Sequence, residues 1–135
     1  MSDPSPVISI VIPVYNNRPA VLRATADELL AELGALPGPA EVVFVDDGSG
    51  DQTKAALAEL VRLDSRVRVV ELVANFGQHA ALSAGFDRAR GRMIVTMDGD
   101  GQCDPRDIPK LLAPLFSGFD MVSGVRLQRK DPSVR

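Results

Sequence analysis

Short apolar runs rich in β-branched residues alternate with helix-period segments along the whole chain, and this alternation limits the fold more than any other feature. Val7 to Pro13 (VISIVIP) is nearly all apolar. It reads as a strand buried on both faces, as in a parallel sheet. Glu41 to Val45 (EVVFV), Val67 to Leu72, Met93 to Met97 and Asp120 to Gly124 (DMVSG) repeat the pattern. Between them lie four helical segments: Pro19 to about Leu33, Asp51 to about Leu63, Gly77 to Ala89 and Pro105 to Phe116. In the first of these Val21, Leu22, Leu29, Leu30 and Leu33 recur at helical spacing. The breaks carry their own chemistry. Gly34 to Pro39 holds two prolines and two glycines, Ser49 or Asp51 is placed to cap the second helix, and Gly91 is placed to stop the third. Pro114 should end or kink the fourth. The expected fold is a doubly wound α/β domain with a mainly parallel sheet and right-handed crossovers. The expected divisions are a tail at 1–6, one domain at 7–124 and a polar, basic tail at 125–135.

Composition narrows the function classes. A chain of 135 residues suits one domain with a real core. A net charge of −3 gives no electrostatic case for nucleic acid as the main partner. One cysteine excludes an internal disulfide. No apolar stretch approaches the roughly 20 residues of a membrane span, and the first residues lack a basic-then-apolar signal pattern.

In doubly wound sheets ligands bind beyond the carboxyl ends of the strands. The unusual polar clusters of this chain fall at those ends: Tyr15, Asn16 and Asn17; Asp46, Asp47, Gly48 and Ser49; Asn75 to His79; Asp98, Gly99 and Asp100; and Arg126. Asp98 and Asp100 stand one residue apart where a buried strand runs out. Hard carboxylate oxygens are what Mg²⁺ or Mn²⁺ prefers, and such ions usually arrive with substrate phosphates. Cys103 beside them is incidental, since Mg²⁺ disfavours thiolate. Asp46 and Asp47 admit two readings. Asp-Gly-Ser is good turn chemistry, yet two adjacent like charges cost energy unless something uses them, and an acidic residue at this edge accepts from a base N–H or ribose hydroxyls in dinucleotide sites. His79, Asn75 and Gln78 are ambiguous between capping, packing and chemistry. The basic tail, strongly so at Arg135, reads as a solvated terminus. Arg126 differs because it leaves a strand end and carries a guanidinium suited to phosphate.

Four known sites fail on the residues present. No G-x-G-x-x-G follows the first strand, and no P-loop occurs. A calcium loop beginning at Asp98 would place Cys103 where glycine is needed and Pro109 where the bidentate glutamate is needed. A phospho-receiver domain needs a lysine at a late strand end, but that strand ends Ser123, Gly124, Val125, Arg126, and Lys110 falls in a helix.

The segments VISIVIPVYNN, VVFVDDGSGDQT, ANFGQHAALSAGFDRARG, IVTMDGDGQCDPRDIPKLL and DMVSGVRLQRKD together resemble the family-2, GT-A glycosyltransferases. Within these they resemble the dolichol-phosphate mannose synthase-like and bacterial polyprenyl-phosphate enzymes. The resemblance implies a Rossmann-like GT-A nucleotide-sugar-binding domain and an inverting transfer from a UDP- or GDP-linked sugar to a polyprenyl phosphate. It implies that Pro13, Tyr15, Asn17 and Asp47 line the base and ribose, with Asp46 behind them and Gly99 beside the nucleotide. It implies that Asp98, Asp100 and Gln102 hold Mg²⁺ or Mn²⁺, and that Arg126 and Arg129 meet phosphates. Three departures stand out: Asn17 replaces a usual glutamate, Gly99 and Gly101 loosen the usual D-A-D-L-Q, and Asp104 stands where proline is common, as an incidental carboxylate. Relatives run on into acceptor-side elements and membrane helices. The chain is therefore expected to be the donor-side part of an enzyme acting at the cytoplasmic face of a membrane, itself soluble and slow or inactive alone. A nucleotide-binding module without turnover and a protein-interaction domain remain the alternatives at this point.

Overall fold

The computed structural model describes residues 6–98 and 104–110. In chain order these form β1 (Ile8–Val14), α1 (Pro19–Glu32), β2 (Ala40–Asp46), α2 (Asp51–Leu63), β3 (Val67–Glu71), α3 (Gln78–Arg88) and β4 (Met93–Thr96). A short 3₁₀ turn follows α1 at Leu33–Ala35, and another lies at Pro105–Asp107. The last helical expectation is met over 105–110 by that turn and the helical residues 108–110; its remainder at 111–116 and the expected strand at 120–124 lie outside the described residues.

The four strands are parallel in the order β3-β2-β1-β4. The chain builds outward from β1 through β2 to β3, then returns to the opposite side of β1. That reversal is the switch point where such sheets open a crevice. The register pairs Ile8 with Ala40 and with Met93, so three strands start level.

Side chains alternate across the sheet. Ile8, Ile10, Ile12 and Val14 of β1 join Val42, Phe44, Val67 and Val95 on one face, against Leu22, Ala26 and Leu29 of α1 and Ala56, Leu57 and Leu60 of α2. Val11, Val43 and Val45 face the other way, against Ala81 of α3. Gly85 lets α3 lie close: a Cβ there would sit 2.4 Å from Val11 Cγ1 and 2.9 Å from Val45 Cγ2.

Two expected punctuation marks act differently. α3 ends at Arg88, with the Ala89 N–H donating to Gly85 O, before Gly91 is reached. Gly91 instead presses on β1, where a Cβ would lie 2.7 Å from Ser9 N, and its own N–H donates to Ser9 Oγ at 2.8 Å. That bond belongs to a buried clasp at the amino end of the sheet. Glu41 Oε2 accepts from Ser9 Oγ (2.6 Å) and the Arg90 N–H (2.7 Å), while Oε1 accepts from Arg68 Nη1 (2.8 Å) and Arg90 Nε (3.2 Å). Burial alone would raise the Glu41 pKa, but these hydrogen bonds and the Arg68 charge outweigh it and hold it below the ordinary value.

Candidate functional site

Pro13 shapes the carboxyl end of the sheet. Odd-numbered residues of β1 turn their backbone groups toward β4, where Val11 O accepts from Met97 N–H. Even-numbered residues turn toward β2, where Val14 O accepts from Asp47 N–H at 2.8 Å. Proline has no N–H, and at position 13 the missing donor falls on the β4 side. The ladder to β4 ends at Thr96, whereas the ladder to β2 runs on through Val14 and Asp46. The two strand ends thus part at the switch point. Asp98, half-buried, follows Met97 there.

The adjacent acids Asp46 and Asp47 serve opposite faces. Asp46, fully buried, points toward α2: Oδ1 accepts from Ser49 N–H (2.9 Å) and Oδ2 from Lys54 Nζ (2.9 Å). Burial pushes its pKa up, but the bonds from Ser49 and Lys54 prevail and leave it lowered. The same contact, chiefly the hydrogen bond, raises Lys54. Asp47 turns to the loop before α3. Its Oδ1 accepts from Phe76 N–H (2.8 Å), and its Oδ2 from Gly77 N–H (3.0 Å) and Asn75 Nδ2 (3.1 Å). Both carboxylates therefore have uses inside the protein, and adjacency of charge does not by itself require a ligand. Gly48 permits this approach: its φ is +79°, and a Cβ there would lie 2.5 Å from Ala74 C and Asn75 N.

Neither expected cap closes α2. The N-cap is Gly50, without a side-chain bond, and Asp51 is the first helical residue. Ser49 instead offers its hydroxyl oxygen to the Asn16 N–H at 2.9 Å. Asn17 Oδ1 accepts from Tyr15 N–H (2.9 Å), and Asn17 O from Thr53 Oγ1 (2.9 Å). Tyr15 is 53% exposed and Phe76 59%, so both rings are open to a ligand at this edge. His79 is exposed in the first turn of α3, whose cap is Gly77. Asp104 is not incidental: its Oδ1 accepts from Arg106 N–H at 3.0 Å and caps the 3₁₀ turn.

Pro13, Tyr15, Asn17, Asp46, Asp47 and Asp98 thus gather at the carboxyl ends of β1, β2 and β4. Gly99, Asp100, Gln102, Arg126 and Arg129 lie outside the described residues. Asn16, Lys54 and the 76–77 amides complete the arrangement without having been assigned roles from sequence. Asn16 left a signal, since asparagine tolerates the left-handed region where a strand turns into a loop. Among the described residues, no helix is long and apolar enough to cross a membrane.

Residues 9–135 match the family described as Glycosyl transferase family 2. The chain belongs to that family, and its parallel sheet flanked by helices is that of the GT-A glycosyltransferases. It is 43% identical to an undecaprenyl-phosphate 4-deoxy-4-formamido-L-arabinose transferase of Pseudomonas fluorescens, over 98% of this chain and 39% of the relative. It is 42% identical to a dodecaprenyl-phosphate galacturonate synthase of Rhizobium johnstonii, over 92% of this chain and 37% of the relative. A solved mannosyltransferase from Pyrobaculum calidifontis, in complex with GDP-mannose and Mn²⁺, superposes with a TM-score of 0.56 at 27% identity, covering 71% of this chain and 28% of that one. The chain spans about 39% of the length of the first of these relatives.

Proposed function

We propose that this chain binds a nucleotide sugar, UDP- or GDP-linked, at the carboxyl ends of β1, β2 and β4. We propose further that it serves inverting transfer of the sugar to a polyprenyl phosphate. The observation that carries the reading is the gathering of Pro13, Tyr15, Asp47 and Asp98 at the switch point of a family-2 domain. The polyprenyl-phosphate names of the two relatives supply the acceptor class. Residues 7–124 are read as one donor-binding domain, working against the cytoplasmic face of the membrane that holds the lipid acceptor.

In this reading Tyr15, Pro13 and Asn17 flank the base and ribose. Asp47 offers them its remaining acceptor capacity, and Asp46 holds the turn behind. A carboxylate has about four acceptor positions. Three of those on Asp47 are filled by the 75–77 loop, which leaves room for one ligand N–H or O–H. Asp98 has the hard oxygen donors that suit Mg²⁺ or Mn²⁺, and Asp100 and Gln102 would complete its ligand set beside Gly99. Among the described residues there is no cluster of three metal-binding side chains, so the ion would depend on that loop. When bound, such an ion supplies charge neutralisation for the departing diphosphate.

The transfer itself balances without a base. An oxygen of the acceptor phosphate forms a bond to the anomeric carbon from the face opposite the donor diphosphate. The bond to the diphosphate oxygen breaks, and the nucleoside diphosphate leaves with that electron pair. A phosphate with a second pKa near 6 is already ionised at about pH 7. Arg126 and Arg129 would reduce the repulsion between the two anions.

Calorimetric titration with UDP, GDP and CMP, each with Mn²⁺, tests the donor site. Labelled nucleotide sugar with a short polyprenyl phosphate tests the transfer. No binding in any titration would refute the donor site. Binding without donor consumption would make the chain a binding module.

A further inference from the structure

The loop after β1 and the turn after β2 are fastened by one asparagine. Asn16 has φ of 53°, and among the described residues no other non-glycine has positive φ. Its N–H donates to Ser49 Oγ at 2.9 Å, and its Oδ1 accepts from Gly50 N–H at 2.8 Å. The exchange is reciprocal. Asn16 gives a backbone donor to one residue of the turn and a side-chain acceptor to the next. The far side of the clamp is itself held, because Ser49 is buried and its N–H donates to buried Asp46.

A left-handed residue other than glycine costs free energy, and asparagine is among the few that visit this region readily. Glycine would meet the backbone demand at less cost, but it has no side-chain oxygen for the Gly50 N–H. Position 16 therefore requires both the conformation and the acceptor. Asn16 stands between Tyr15, exposed at the end of β1, and Asn17, whose Oδ1 receives the Tyr15 N–H. Two residues before Gly48, Asp46 anchors the same turn that carries Asp47.

We infer that Asn16 is a positioning residue for the nucleotide site. It fixes the spacing between Tyr15 and Asp47 by locking their two loops together, without itself touching the ligand. The inference rests on the donor-site reading above and adds a residue to it.

The chain has one tyrosine and no tryptophan, so its tyrosine emission reports Tyr15 alone. Asn16→Gly keeps the left-handed backbone and removes the acceptor, whereas Asn16→Asp keeps both. The anisotropy of Tyr15 emission should fall in Asn16→Gly and hold in Asn16→Asp. Titration with UDP and GDP, each with Mn²⁺, should show about tenfold weaker binding for Asn16→Gly and near-parental binding for Asn16→Asp, the scale of one net hydrogen bond. Unchanged anisotropy in Asn16→Gly overturns the clamp. Lower anisotropy or a lower unfolding midpoint with unchanged nucleotide affinity overturns the positioning role and leaves Asn16 a merely structural residue. A parent chain that binds neither nucleotide overturns the donor-site reading and this inference together. A parent that binds, beside an Asn16→Gly variant that binds equally, overturns this inference alone.

Discussion

Replacing Asp47 by alanine should loosen the loop before α3 as well as weaken a nucleotide site. The carboxylate is only 4% exposed and takes three donors: Phe76 N–H, Gly77 N–H and Asn75 Nδ2. A hydrogen bond to a charged group is worth about 1.5–3 kcal/mol, but bonds sharing one carboxylate do not add. The loop is also exposed at Phe76, so water replaces part of what is lost. The expected destabilisation of Asp47→Ala is about 3 kcal/mol. Asp47→Asn should cost about 2 kcal/mol, since it retains one acceptor oxygen and sets an NH₂ against a donor. Either is a large share of a typical 5–15 kcal/mol, yet leaves a folded majority. Urea unfolding measures the loss, and amide exchange at Phe76 and Gly77 locates it. Asn75→Ala, which removes one donor and spares the carboxylate, should cost about 1 kcal/mol. If Asp47→Ala shifts stability by less than about 0.5 kcal/mol and both amides exchange at the parental rate, the reasoning fails, because a loop truly held by those bonds cannot ignore their removal.

Gly85→Ala should destabilise by about 1–3 kcal/mol in urea unfolding despite the gain in helix propensity, because its Cβ would meet buried Val11 and Val45. Gly34→Ala, with nothing within 4 Å, is the control and should be close to neutral. Glu41 has a lowered folded pKa, so its contribution is full above its ordinary value of 4.5 and is lost as pH falls through the folded value. Glu41→Gln should flatten the fall of stability below that pH, as read from unfolding midpoints across an acid series. Asp98→Asn should abolish Mn²⁺-dependent nucleoside diphosphate binding with little change in the unfolding midpoint, and equal binding by calorimetry would remove Asp98 from the metal site.

The layered fold was legible because each strand is an apolar run with hard punctuation. Observed strands differ from the expected ones by about a residue at their ends, and each shift has a cause in pairing. β1 runs to Val14 because Val14 pairs with Asp46, and β3 stops at Glu71 because Asp46 is the last residue of β2. Leu72 nevertheless donates its N–H to Asp46 O. What local pattern did not convey was the meaning of the two polar residues inside apolar runs, Ser9 in VISIVIP and Glu41 in EVVFV. They are register partners on the α3 face, and their further ligands Arg68, Arg90 and Gly91 arrive from distant segments. A buried polar residue must find a partner, so their presence was a sign, but the partner's identity depends on tertiary placement.

The site divides along the same line. Strand-end clusters could be read from sequence because chain direction and sheet type decide which ends face a ligand. The division of labour between Asp46 and Asp47 could be read only in part. Asp46 finds its partners three and eight residues on, at Ser49 and Lys54, within reach of turn and helix spacing. Asp47 finds its partners 28 to 30 residues on, in a loop joined to it only through the sheet. Alternation then does the rest. One residue's step turns the first carboxylate toward α2 and the second toward α3, so two like charges avoid each other and each ties a different crossover to β2. Asn16 makes the third tie, from β1. A strand end with so many backbone donors already fixed has little freedom left to rearrange around a ligand. In the proposed donor site, the remaining acceptor position on Asp47 and the exposed Tyr15 ring would therefore be held in a set geometry before a nucleotide arrived, which would reduce the ordering cost of binding.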